Sequence, residues 1–226
     1  MKRRLLFSAD HLRLMLSLAR AVIFCLPDNP FTIIRAYRLA NNSKLFDPTY
    51  YQAQLTEPLP SGQDPLVHYL TADAETRADP HPLFDQAFYC AHGLIDRITN
   101  ETPLMHFLRI GCHKNIDPHP LFDSSFYLDK YPDVAEQDIP PGIHFFRFGL
   151  EEGRNCHLLF DPDYYAKQNP DAVATGENSL LHFLQTGWLE RRSPHLLFDT
   201  PYYLDRYPEV TEQGINPLVH YLQTTL

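Results

Sequence analysis

Twelve histidines stand in this chain of 226 residues, and histidine is the side chain most apt to move a proton or hold a metal near neutral pH. Nine of the twelve fall into two series. His68, His106, His144, His182 and His220 are spaced 38 residues apart, and so are His81, His119, His157 and His195. An aspartate recurs at the same interval, at Asp47, Asp85, Asp123, Asp161 and Asp199. Two chemistries suit such a set: metal ligation, or an Asp-oriented His acting as a base. The recurrence itself argues against both. A catalytic group is needed once, whereas a packing residue is needed in every copy of a repeated unit. Neither a helical His-x-x-x-His pair nor a Cys/His cluster at zinc spacing occurs. The five aspartates and the five histidines from His68 to His220 are therefore expected to be structural residues of a repeat, with no metal and no cofactor.

The remaining reactive residues give little more. Asp161-Pro162-Asp163 has the Asp-x-Asp form of metal-dependent sugar transferases, but the Asp163 position holds Thr49, Ala87, Ser125 and Pro201 in the other copies. There is no Gly-rich phosphate loop and no Gly-x-Ser-x-Gly elbow. Cys25, Cys90, Cys112 and Cys156 form no Cys-x-x-Cys pair, lack the basic surroundings of a reactive thiol and fit a reducing compartment. Trp188 is the single tryptophan; because it does not recur, it is a candidate for an exposed binding contact.

The elements behind these series are set by the repeat. Leu-Phe-Asp begins at Leu45, Leu83, Leu121, Leu159 and Leu197, without insertion or deletion. The units are 45–82, 83–120, 121–158, 159–196 and a shorter 197–226. An aromatic pair follows each triplet, from Tyr50-Tyr51 to Tyr202-Tyr203, and an aromatic follows each histidine of the first series. Each unit reads as two short helices. Asp47-Pro48 and Asp161-Pro162 are helix starts, with Asp as N-cap and Pro first in the helix. Phe46 and Tyr51 have the spacing of a hydrophobic staple across that start. Tyr131-Pro132, Asn169-Pro170 and Tyr207-Pro208 end the first helix, because proline disfavours helix in the residue before it. Asp64-Pro65, Thr102-Pro103 and Asn216-Pro217 open the second, and Gly111, Gly149 and Gly187 are expected to close it as left-handed caps. Helices this short are marginal alone and must bury their apolar faces on neighbouring units. The expected fold is all-α: a solenoid-like array of five 38-residue helical hairpins.

Residues 1–44 lie outside that register. They carry eight Lys/Arg and two Asp/Glu, whereas residues 45–226 carry eleven and 26. Helices are expected over roughly residues 5–25 and 30–40. The segment is either an N-terminal helical cap for the array or a membrane-surface segment facing anionic lipid. Arg13 and Arg20 interrupt its apolar stretch, too early for a span of about 20 apolar residues. The acidic body excludes nucleic acid as a partner. With 44% hydrophobic and 13% aromatic residues the chain is no disordered polymer, and twenty prolines against nine glycines announce many short elements.

The segments Phe160–Asp171, Asn216–Leu222 and Gly149–Arg154 resemble the tandem repeats found beside glycosyltransferase domains in bacterial surface-polysaccharide proteins, rhamnan-synthesis-like ones among them. Similar units accompany some calcium-binding repeat exoproteins. The resemblance covers residues 45–226 and carries over no catalytic residue, because the transferase domain is not in this sequence. It implies a non-catalytic interaction or scaffold module in surface-polysaccharide (capsule or O-antigen) biosynthesis, cytoplasmic or peripheral at the inner membrane. Its partner would be a glycosyltransferase or another polysaccharide-assembly protein. Two alternatives stay open: a glycan-binding module using the aromatic positions, and the front part of a split glycosyltransferase.

Overall fold

The computed structural model describes residues 30–93, 101–174 and 176–225; the helix expected over 5–25 lies outside them. The described chain is all-α, with no β-strand in it. Helix α1, Pro30–Ser43, comes first. The first unit then contributes α2, Pro48–Ala53, and α3, Pro65–Thr71. The second contributes α4, Gln86–His92, and α5, Pro103–Arg109, followed by a 3-10 turn over Gly111–Lys114. The third has α6, Ser124–Lys130, α7, Pro132–Ala135, and α8, Pro141–His144, which widens into a π turn over Phe145–Gly149. The fourth has α9, Pro162–Gln168, α10, Pro170–Val173, and α11, Ser179–His182, again with a π turn, Phe183–Gly187. The fifth has α12, Thr200–Arg206, α13, Pro208–Glu212, and α14, Pro217–Thr225.

Each Leu-Phe-Asp triplet starts a helix for one local reason. The aspartate is extended, and its Oδ1 accepts the backbone N–H three residues on: Tyr50, Phe88, Phe126, Tyr164 and Tyr202. The preceding phenylalanine packs on the tyrosine at the fourth helical position. The five pairs, Phe46–Tyr51 to Phe198–Tyr203, have ring centroids 5.3 to 5.9 Å apart, so the staple recurs in every unit. Asp64, Thr102, Asn178 and Asn216 cap the later helices in the same way.

These rings lie in one hydrophobic core cluster. Tyr51, Tyr89, Tyr127 and Tyr165 are fully buried. Each of the five tyrosines meets the aromatic of the second helix edge-on, with centroids 5.5 to 6.1 Å apart. Neighbouring triplets are tied by backbone bonds: Asp47, Asp85, Asp123 and Asp161 donate to the carbonyls of Pro80, Pro118, Cys156 and Pro194. Helix α1 packs across α3 and α5, with Ile33 against Val67 and the Tyr37 hydroxyl on Asp64 Oδ2 at 3.1 Å.

Two expectations are corrected. The third to fifth units hold a third short helix. The prolines at 132, 170 and 208 end one helix but also begin the next, because a fixed φ suits the first helical position. The glycines do a different job from the one expected. Gly111, Gly149 and Gly187 are not left-handed; the positive φ lies four residues on, at Asn115 (51°), Gly153 (65°) and Arg191 (60°). A Cβ on any of these three glycines would overlap the hydroxyl of Tyr89, Tyr127 or Tyr165. Glycine is there because a phenol needs its space.

Gly187→Ala is therefore expected to lower stability by about 1–3 kcal/mol through overpacking. Arg191→Gly should raise it by about 1 kcal/mol by relieving a left-handed side chain. Its exposed pair with Asp205 offsets little of that gain. Urea midpoints of the two variants against the parent check both signs.

Candidate functional site

The first histidine series faces the core tyrosines. Tyr51, Tyr89, Tyr127, Tyr165 and Tyr203 each bring the phenol oxygen to Nδ1 of the histidine 17 residues on, at 2.7, 2.8, 3.1, 2.8 and 2.8 Å. Burial pushes the tyrosines up, Tyr51 to about 12, so the phenol keeps its proton and donates. Nδ1 is then the acceptor and Nε2 carries the ring proton. Desolvation lowers the pKa of His68 and His144, which favours the same neutral ring. A protonated phenol on a neutral imidazole is a tie between two helices, with no activated nucleophile in it.

The second histidine series holds the links between units. Nδ1 of His81, His119, His157 and His195 accepts the N–H of the leucine two residues on, at 3.0 to 3.1 Å. The backbone carbonyls of the same histidines accept the N–H of the phenylalanine three residues on. Before the first unit the position belongs to Ser43, whose Oγ accepts the Leu45 N–H at 3.1 Å. What this position requires is an acceptor, and a hydroxyl serves as well as an imidazole. Burial lowers the pKa of three of them: His81 to about 4, His119 to about 3, and His157 in the same direction.

The segments Gly149–Arg154 and Gly187–Arg192 make a third tie, in the third and fourth units. Arg154 pairs with Asp133 at 2.9 Å and Glu152 at 2.6 Å and lies over the Tyr131 ring. Arg192 pairs with both oxygens of Asp171 and with Glu190. Its guanidinium holds the exposed Asp171 carboxyl down at about 2. The two arginines clamp the first turns of α7 and α10.

The isolated candidates resolve individually. Trp188 is only 6% exposed and lies in the core cluster, so the exposed contact expected of it is corrected: the π turn over 183–187 rolls the residue that follows it inward. Asp161 is the N-cap of α9, and Asp163 lies within that helix. Cys112 and Cys156 are buried, and burial pushes both thiols up, Cys112 to about 11. Among the described residues no group of three or more His, Cys, Asp or Glu side chains converges as a metal site would, and no helix is long and apolar enough to cross a membrane.

Sequence reasoning missed the partnering of tyrosine with histidine and of Arg154 and Arg192 with Asp133 and Asp171. The signal was present in both cases, as constant offsets of 17 and 21 residues. No family model matches the chain, and no curated protein or solved structure matches it.

The linker histidines set a pH dependence. A histidine whose folded pKa lies below its ordinary 6.5 stabilises fully above that value. Its contribution is lost as pH falls from there toward about 4 and about 3, at up to about 1.4 kcal/mol per pH unit for each ring. Asp117, raised to about 6 by burial, and Asp79, raised in the same way, work with opposite sign over part of that window. Five lowered imidazoles, the three linker rings with His68 and His144, against two carboxyls leave a net loss on acidification. His119→Ser keeps an acceptor, as at Ser43, but removes one titrating ring. Its stability should be lower at about pH 7.5 and should fall less steeply toward about pH 5, as read by urea titrations across that range.

Proposed function

We propose that residues 45–226 form a tightly wound, solenoid-like array of five helical hairpins, closed at its N-terminal end by α1. In this reading the array is a non-catalytic interaction module in the assembly of a bacterial surface polysaccharide, and its partner is a glycosyltransferase or another assembly protein. The observation that carries it is that both histidine series spend Nδ1 on holding the array together, five times on a tyrosine and four times on a backbone N–H. The residues best able to do chemistry are committed to architecture, as an extended binding scaffold requires.

Winding is supported by contacts that skip units. Lys44 reaches the Arg147 carbonyl at 3.1 Å and Glu151 at 2.6 Å, 103 and 107 residues on. Gln223 reaches Asp85, 138 residues back. Such contacts bring together chain three units apart, which supports a tightly wound array over one with a wide trough. Glycan binding, the competing reading, would have to use the aromatics left at the surface, Phe148, Tyr202 and Tyr207, since the recurring tyrosines are in the core.

The polysaccharide setting rests on the repeat resemblance, and the inner-membrane face on the basic residues 1–44. Two measurements test them. Affinity capture of the tagged full chain from cross-linked membranes of its native host should recover a polysaccharide glycosyltransferase or exporter. Recovery of neither sinks the scaffold reading. In liposome flotation, the full chain should bind anionic vesicles better than a chain begun at Asp28, which keeps α1 and its packing on α3 and α5. Basic residues near such a surface contribute about 1 kcal/mol each; equal flotation of the two removes the membrane role.

A further inference from the structure

The recurring positions are not equally covered along the chain. The opening leucine is fully buried at Leu45, Leu83 and Leu121, partly buried at Leu159 and 74% exposed at Leu197. The residue before it is buried at Pro82 and Pro120, then 62% exposed at Leu158 and 77% at Leu196. The first aromatic of the pair is half-buried at Tyr50, Phe88, Phe126 and Tyr164 but 68% exposed at Tyr202. The capping aspartate is half-buried four times and exposed at Asp199. At this end face Leu197, Asp199 and Tyr202, with Leu159 and Tyr221, line one hollow of about 210 Å³, next in the chain to the exposed Leu158 and Leu196. Scattered exposed leucines need no explanation, whereas a contiguous patch marks a contact surface.

Inside the chain, the same positions show what covers them: other parts of this chain. The tail of α14 puts Gln223 Nε2 on the capping Asp85 at 3.4 Å, and Lys44, beside the buried Leu45, donates to the Arg147 carbonyl in the third unit's π turn. Among the described residues, the opposite end offers no matching face. It carries α1, whose outward residues include Arg35, Arg38, Asn41 and Asn42, so head-to-tail stacking finds no apolar partner there. Along α12, Asp199, Tyr202 and Arg206 are all exposed and fall at helical spacing on one side. The row reads acid, aromatic, base. Laid antiparallel on itself, it is self-complementary: acid meets base at both ends and aromatic meets aromatic at the centre. Only a twofold contact uses one patch in this way.

We propose that this end face docks a second copy of the chain about a twofold axis. In that pair the two α12 helices run antiparallel, Tyr202 lies near the axis, each Asp199 faces the other copy's Arg206, and Leu196 and Leu197 are covered. The contact closes, because a twofold pairing uses the same patch on both copies.

Sedimentation of the full chain over roughly 1–100 μM, the range in which a transient interface dissociates, tests this. The mass should rise from 26.2 kDa toward twice that value. Arg206→Glu, which sets two acids together without touching the core, should weaken the pair at least tenfold, and so should Leu197→Asp. Arg38→Glu on α1 should leave it intact. A full chain that stays monomeric overturns the proposal. So does a dimer that survives both Arg206→Glu and Leu197→Asp, a dimer broken by Arg38→Glu, or a mass that grows without limit. Circular dichroism confirms that each variant is folded, and Leu197 and Arg206 are exposed enough to change without unfolding.

Discussion

The bond from a buried tyrosine hydroxyl to the Nδ1 of a histidine 17 residues on, made five times at 2.7 to 3.1 Å, constrains most of what surrounds it. A phenol inside a ring cluster must find an acceptor or forfeit a hydrogen bond. The partner comes from the second helix, so the two helices of a unit are held at one separation and one register. That register places the second-helix aromatic edge-on against the tyrosine. It also drives the phenol oxygen against the chain at Gly111, Gly149 and Gly187, where no Cβ fits. In the third and fourth units the helix that carries the histidine, α8 or α11, passes this point as a π turn. The glycine, the histidine and the tyrosine are one device seen at three positions.

This explains which parts of the fold were legible in the sequence. Helix starts were, because capping is decided within four residues: Asp47, Asp64 and Thr102 sit where their side chains reach free N–H groups. The glycines were misread because glycine answers two different needs, a positive φ and a close approach, and only the position of the Tyr165 hydroxyl tells them apart. The left-handed residue that was sought lies at Asn115, Gly153 and Arg191, three residue types that share no sequence mark. The third helix is not legible because a proline such as Pro132, Pro170 or Pro208 marks the end of one helix and the start of another alike. The histidines were recognised as periodic, but their partners were not. A spacing of 17 crosses a loop, and pattern rules for one helix do not reach across it. Trp188 misled for a simpler reason: a residue outside the repeat can still fill a gap in the core.

The same geometry divides the chain between folding and recognition. The positions that recur unchanged point inward or cap helices. Some positions that vary between units lie at the surface, as with Thr49, Ser125 and Asp163, which occupy one place in three units and are all exposed. Whatever this protein recognises must be read by positions of the second kind, since the recurring ones are occupied with each other. Periodicity is therefore a guide to architecture and a poor guide to partners. The exception arises where a recurring position loses its cover. Leu197 and Tyr202 are core residues by type and surface residues by place, and at such an end the physics that packs one unit on another within the chain becomes available to a second molecule.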